Sequence, residues 1–209
     1  MLQKKAIDPV ALELLKSFQA DPMLDQFHLA GGTGLALHLG HRLSVDLDMF
    51  SVQTFDNELY MEFLKEKYNF SIDYSAHNTL KGSIGNVKID FIAHQYTLLM
   101  PVVEAEQIRI YSLEDIAAMK INAIAGNGTR SKDFVDLFFL LEIFHIDKLL
   151  EFYEKKYSDR NIIHALKSLN YFEDADLSDW PVIIEKRELT WEKVKSNIDK
   201  HCKEYIKSL

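Results

Sequence analysis

Residues 28–51, HLAGGTGLALHLGHRLSVDLDMFS, change character twice in a short space. A brief apolar run meets two glycines, a stretch of helical length follows, and SVDLDMF closes the segment in strict alternation. Side chains two apart on a strand share a face. The alternation therefore predicts a strand in which Asp46 and Asp48 point one way while Val45, Leu47 and Met49 point into a core. FHLAGG reads as a short strand running into a glycine turn, and Thr33 to Leu39 as a helix. Core packing needs neither the bare backbone at Gly31 and Gly32 nor the two carboxylates. The pattern points to an anionic ligand bridged to the protein by metal.

A second strand, VKIDF, repeats the logic: Val87, Ile89 and Phe91 face one side, Lys88 and Asp90 the other. If the two strands are neighbours, three carboxylates converge, and their mutual repulsion makes sense only with cations. Hard oxygen ligands suit Mg²⁺ (or Mn²⁺), with Asp46, Asp48 and Asp90 as the expected metal set. Two such ions activate an attacking hydroxyl and stabilise departing pyrophosphate. Backbone amides at a glycine turn leading into a helix favour phosphate, so Gly31 and Gly32 are nucleotide-binding candidates. Thr33 adds a hydroxyl, Arg42 a cationic clamp, and Ser44 is a further candidate in the same segment. A D-x-D alone is common on solvated strand faces, and a Gly-Gly alone is usually only a turn. Their order within 18 residues, with a third strand aspartate downstream, is what carries the chemistry.

Bulk properties bound the rest. The 209 residues allow one large domain or two small lobes, and 47% hydrophobic content supports a packed core. A net charge of −8 argues against holding nucleic acid by bulk electrostatics, without excluding a local basic groove. The one cysteine, Cys202, excludes an intramolecular disulfide and suits a reducing compartment, so a cytoplasmic protein is expected. The start, MLQKKAIDPVALELL, lacks an apolar h-region with a small-residue cleavage site, so no secretory signal is expected. No apolar run reaches the roughly 20 residues of a membrane span. Pro9 to Ala20 has helical spacing with Asp8 as its cap. Asp56 to Tyr68 reads as a helix, and FSIDYSA, TLKGSIG and NVKIDFIA as strands with a hairpin turn at Gly85-Asn86. Ser112 with Asp115 forms a capping-box pattern, glycines 126 and 128 end the helix it launches, and only helices follow. This order predicts an α+β lobe followed by a helical lobe.

GGTGLALHLGHRLSVDLDMF resembles the signature of the nucleotidyltransferases in the AbiEii/AbiGii toxin family, within the wider DNA polymerase β-like superfamily. SLEDIAAMKINAIAGNGTRSKDFVDLFFLL resembles that family's downstream lysine and aspartate motif, so the resemblance covers about residues 25–145. It implies a polymerase β-like nucleotidyltransferase fold, a small mixed sheet with flanking helices followed by a C-terminal helical domain. The expected lobes are 1–110, the nucleotidyltransferase α/β lobe, and 111–209, the helical lobe. The implied activity is Mg-dependent transfer of an NMP from an NTP to an acceptor, RNA or tRNA in the toxin relatives. The setting is a type IV-like toxin–antitoxin or abortive-infection system with a cognate antitoxin. A small-molecule acceptor, or a non-catalytic nucleotide- or partner-binding module of the same fold, are the rival readings. Asp90 departs from the family pattern in spacing and enters by strand logic alone.

In the helical half, Lys120 lies in an apolar stripe with Ala117 and Ile124, and Asp136 lies inside FVDLFFLL. A lysine so placed snorkels or meets a partner, and an unpaired buried carboxylate is costly. The short Gly-rich loop between the two helices predicts antiparallel packing, so Lys120 is expected to meet Asp136 or Asp133. One reading is a buried ion pair that holds the helices together. The other, implied by the family, is that Lys120 binds triphosphate and Asp133 or Asp136 positions or deprotonates the acceptor. His38 and His41 are expected on a helix surface, too few for zinc. YFEDADLSDW reads as a solvated loop ending in a Trp180-Pro181 anchor.

Overall fold

The structure, a computed structural model, describes residues 1–208. It divides into two compact units: Met1–Thr97 with Pro101–Tyr111, and Leu98–Met100 with the chain from Ser112 onward. No helix among the described residues is long and apolar enough to cross a membrane.

In the first unit, Asp8 caps helix α1 (Pro9–Gln19), its carboxylate accepting from the amides of Val10 at 2.8 Å and Ala11 at 3.2 Å. Strand β1 (His28–Leu29), helix α2 (Gly31–Leu39), strand β2 (Leu47–Ser51) and helix α3 (Asn57–Tyr68) follow. Next come β3 (Ser71–Ala76), β4 (Thr79–Ile84), β5 (Val87–Ala93), β6 (Val103–Ala105) and β7 (Ile108–Ile110). They form a seven-stranded sheet of order β3-β4-β5-β2-β1-β7-β6. It is mixed: β2 pairs with β5 and β1 with β7 in parallel, and the remaining pairs are antiparallel. The Gly85-Asn86 turn joins β4 to β5, Ile84 opposite Val87, with Gly85 at φ 57°. The β6–β7 hairpin escapes periodicity because each strand has only three residues.

The strand expected over SVDLDMF starts late. Ser44 is bridged to Ile7, donating its amide to the Ala6 carbonyl and accepting from the Asp8 amide, so regular pairing begins at Leu47. Val45 consequently stays 45% exposed and does not join the core, whereas Leu47 and Met49 are fully buried as expected. The face opposite the aspartates closes around Phe91, whose ring meets Phe18 at 5.6 Å, Phe27 at 5.1 Å and Phe70 at 6.2 Å. Gly82 on β4 lets Phe70 in: a Cβ there would stand 2.6 Å from the ring and 2.0 Å from the Ser71 carbonyl.

Asp21 ties the segment after α1 to the end of α3. It accepts from the Tyr68 hydroxyl at 2.6 Å and the Met23 amide at 3.1 Å, and pairs with Lys67 at 2.7 Å. Burial by itself raises the Asp21 carboxyl, but the bonds from Lys67, Tyr68 and Met23 outweigh it and hold the group below the ordinary carboxylate range.

The second unit is helical: α4 (Leu113–Gly126), α5 (Ser131–Leu140), α6 (Ile146–Lys156), α7 (Ile162–Leu169) and α8 (Trp191–Ser208). Ser112 Oγ accepts the Asp115 amide at 3.0 Å, as the cap pattern requires. The Asp115 carboxylate has other partners: Lys156 at 2.7 Å and the Leu99 amide at 3.0 Å, with the Asp115 and Lys156 side chains wholly buried. Lys120 meets both candidate aspartates, Asp133 at 2.6 Å and Asp136 at 2.7 Å, all three side chains at most 7% exposed. Phe134, Phe172 and Trp191 pack mutually at 5.4–5.8 Å, with Trp180 6.2 Å from Trp191, which bears out an anchor there. The acidic loop before Trp180 is docked, not free. Asp176 bridges to Arg130, and Asp179 accepts from Ser131 Oγ at 2.6 Å.

Because the folded Asp21 carboxyl titrates below its unfolded value, its stabilisation is present above the ordinary carboxylate range and lost as pH falls through the folded value. Thermal melts of wild type and Asp21→Asn should therefore converge in acid and diverge toward neutral pH, wild type the more stable. Lys120→Met leaves two carboxylates buried without their ammonium and should cost about 3–5 kcal/mol in denaturant unfolding. Adding Asp133→Asn and Asp136→Asn should recover part of that loss.

Candidate active site

The candidate site in the first unit begins where β1 turns into α2. The Ala30 amide donates to the Asp48 carbonyl at 2.8 Å, which sets the turn beside β2. Gly31 then takes φ 61°, in the left-handed region that L side chains avoid. A Cβ at Gly31 would lie 1.8 Å from Asp48 Oδ2 and 2.5 Å from its Cγ. The Asp48 carboxylate thus occupies the space a side chain would fill. Both glycines belong to the helix, whose N-cap, Ala30, offers no side-chain hydrogen bond. Its first internal bond runs from the Gly34 amide to the Ala30 carbonyl at 2.9 Å. The amides of Gly31, Gly32 and Thr33 precede it, as first-turn donors without a carbonyl partner inside the helix.

Thr33 and Ser44 hold this corner from within. The Thr33 hydroxyl, 1% exposed, donates to the Asp46 carbonyl and shares a 2.8 Å hydrogen bond with Ser44 Oγ. Ser44 is itself buried, and Arg42 is 3% exposed, with Nη1 donating to the Leu43 carbonyl at 3.2 Å. These three side chains, read from sequence as phosphate contacts, are packed into the segment that links α2 to β2. Asp46 and Asp48 are half-buried.

Parallel pairing of β2 with β5 sets Asp48 in register with Asp90, so both lie on one face of adjacent strands. Antiparallel pairing of β4 with β5 sets Lys81 opposite Asp90 on the other flank, its Nζ 2.5 Å from Asp90 Oδ2. The result is a lateral row, Lys81–Asp90–Asp48, ending at the bare Gly31 Cα. Among the described residues, no group of three or more His, Cys, Asp or Glu side chains is arranged to hold a metal ion. What the row offers is hard carboxylate oxygen, and Asp48 rests in a cradle only glycine leaves open. That donor chemistry fits Mg²⁺ or Mn²⁺ at Asp46 and Asp48.

One strand step further on the same face, the Phe50 ring packs tilted against His94 at 5.6 Å and His94 against Tyr96 at 4.8 Å. His28 opens β1 opposite Phe50. Burial and the nearby Arg109 charge lower the His28 pKa, outweighing Asp25 and Glu104, so the ring is neutral at neutral pH. His38 Nε2 lies 2.9 Å from the Tyr111 carbonyl. His41 lies past the end of α2 and is fully buried, so it is not the helix-surface residue its spacing suggested.

Lys81 and the aromatic group were missed in the sequence. A lone lysine in TLKGSIG carries no signal of its own, although the Gly85-Asn86 hairpin, with its register counted out from Ile84 opposite Val87, puts it opposite Asp90. Cavity volume does not mark the chemistry either. Cavities of about 620 and 560 Å³ are lined by groups such as Gln19, Glu104 and Arg109, and none of Asp46, Asp48 and Asp90 lines them. In the second unit, Lys120, Asp133 and Asp136 are brought together, and Lys132 lies 4.0 Å from Asp179.

Comparison with known proteins bears on the family and the fold. The family model described as nucleotidyl transferase AbiEii toxin, type IV TA system, matches residues 13–81 and 66–201. An uncharacterised Aquifex aeolicus protein, aq_aa25, is 31% identical over 205 residues, 94% of this chain and 96% of its own. A Helicobacter pylori protein assigned as a nucleotidyltransferase superposes with a TM-score of 0.52 at 20% identity, covering 97% of this chain and 99% of its own. JHP933 from Helicobacter pylori does so with a TM-score of 0.51 at 19% identity, over 97% and 96%. The α+β sheet with flanking helices and the helical region after it are thus the nucleotidyltransferase architecture expected. The chain belongs to the AbiEii nucleotidyl transferase toxin family of type IV toxin–antitoxin systems.

Proposed function

We propose that this nucleotidyltransferase moves a nucleoside monophosphate from an NTP to RNA, a tRNA in particular, and that Asp46, Asp48 and Asp90 do the chemistry. Membership of the family implies an NTP substrate and a cognate antitoxin. The acceptor, the metal and the residue roles are our reading. The observation that carries it is Asp48 seated on the bare Gly31 Cα at the N-terminus of α2, in register with Asp90.

The amides of Gly31 and Gly32, with the positive end of the α2 dipole, take the triphosphate. Thr33 and Ser44 act on the nucleotide indirectly: their shared hydrogen bond fixes the segment that carries Asp46. Arg42 adds fixed positive charge behind it. Asp46 and Asp48 would hold Mg²⁺, which supplies charge neutralisation for the phosphates and acidifies the acceptor hydroxyl. Asp90 is the third carboxylate, ligand and base. The acceptor oxygen bonds to the α-phosphorus, the bond to the β-bridging oxygen breaks, pyrophosphate leaves, and the acceptor proton passes to Asp90. Positioning and charge neutralisation supply most of the rate, as transfers of this kind need little covalent help.

We take the first unit as the nucleotidyltransferase lobe. In the helical unit, burial of Lys120 with Asp133 and Asp136 supports a positioning role that pins α4 to α5, alongside the triphosphate and acceptor roles the resemblance implies. A second reading, a small-molecule acceptor, is favoured by the net charge of −8, since tRNA binding wants a basic surface.

Incubation with α-³²P-labelled NTPs should label tRNA. Label on small hydroxylated acceptors and none on tRNA would establish the second reading. Asp46→Asn and Asp48→Asn should each lower transfer on the order of 10²–10³-fold with the circular dichroism spectrum unchanged. Gly31→Ala forces a side chain onto the Asp48 carboxylate at positive φ. It should cost about 1–2 kcal/mol of stability in denaturant melts and reduce kcat as well.

A further inference from the structure

The carboxylate row brings a cation of its own. Lys81 reaches Asp90 Oδ2 at 2.5 Å from the position directly opposite it on β4. The core does not require this contact: the Lys81 side chain is 43% exposed and that of Asp90 25%. Exposed pairs of this kind add little to stability. On its other flank Asp90 stands in register with Asp48. Asp90 therefore lies between an ammonium on one neighbouring strand and a carboxylate on the other.

We propose that Lys81 is the cation Asp90 carries until a divalent ion replaces it, so that Lys81 and that ion compete for one carboxylate. The inference rests on the reading of Asp46, Asp48 and Asp90 given above. Two acids in register on adjacent strands repel one another, and a singly charged ammonium on a flexible four-carbon stem relieves that repulsion without fixing the group permanently. While Lys81 is bonded to Asp90 Oδ2, its ammonium stands where an ion bound through that oxygen would have to sit. A nucleotide adds phosphate oxygens and so favours the divalent ion over the ammonium at Asp90. The exposed Lys81 side chain then swings toward solvent, its charge still close to the phosphates. No covalent bond changes in this exchange. Lys81 is a positioning residue: it decides when the third carboxylate joins.

Mn²⁺ titration followed by electron paramagnetic resonance, on the free full-length chain, tests this directly. Wild type should bind one ion tightly and a second weakly. In Lys81→Met the weaker site should tighten about two- to fivefold, the range set by loss of an exposed ion pair. Lys81→Arg should behave as wild type, and Lys81→Met combined with Asp90→Asn should lose the gain. Identical isotherms for wild type and Lys81→Met would overturn the proposal, provided Asp48→Asn has lost the tight site. Survival of the tight site in Asp48→Asn is a different failure: it removes the reading of the carboxylate row itself, and this inference with it.

Discussion

Gly31 and Asp48 share one volume. The carboxylate lies where a Cβ would be, so the glycine has no side chain for a steric reason as well as for its positive φ. Everything else at the site follows from keeping that contact. The antiparallel pairing of β1 with β2, Leu29 opposite Met49, brings the two residues to the same level. The bond from the Thr33 hydroxyl to the Asp46 carbonyl stops the preceding segment from sliding. A shift of one residue in β2 would turn Asp48 into the core and Met49 toward solvent.

The two units manage charge differently. In the helical unit, Lys156 meets Asp115 and Lys120 meets Asp133 and Asp136, with all five side chains nearly or wholly buried. Such groups set packing geometry, because any arrangement that separates them leaves a charge in an apolar surround. In the sheet unit, Asp46, Asp48 and Asp90 remain partly open to solvent and the partner of Asp90, Lys81, is exposed. Half-burial leaves acids room to exchange partners with solvent and ions, and full burial does not.

Much of the fold was legible because it rests on local physics. Asp8 and Asp56 cap the helices their spacing announced, the alternation in VKIDF became β5, and the Gly85 turn formed between strands of the expected phase. Val45 shows where such reading stops. Its phase is right for the core, but the backbone around Ser44 is engaged by the N-terminal segment, so strand pairing starts two residues later. Likewise Thr33, Arg42 and Ser44 look like ligand contacts in sequence, since a polar side chain near a glycine turn has no visible partner until the chain is folded.

By itself the sequence determined most of the elements and the family signature, and singled out the three acids as candidates, because period, caps and turn residues act between near neighbours. Only the tertiary structure decided that β5 runs parallel beside β2 with Asp90 level with Asp48. It alone chose which hydroxyls pack inward. Strand order and register join residues some forty positions apart, and no local rule carries that information. It arises only when apolar faces such as those of Leu47, Met49, Ile89 and Phe91 are buried together, and the polar face they leave behind carries the candidate site.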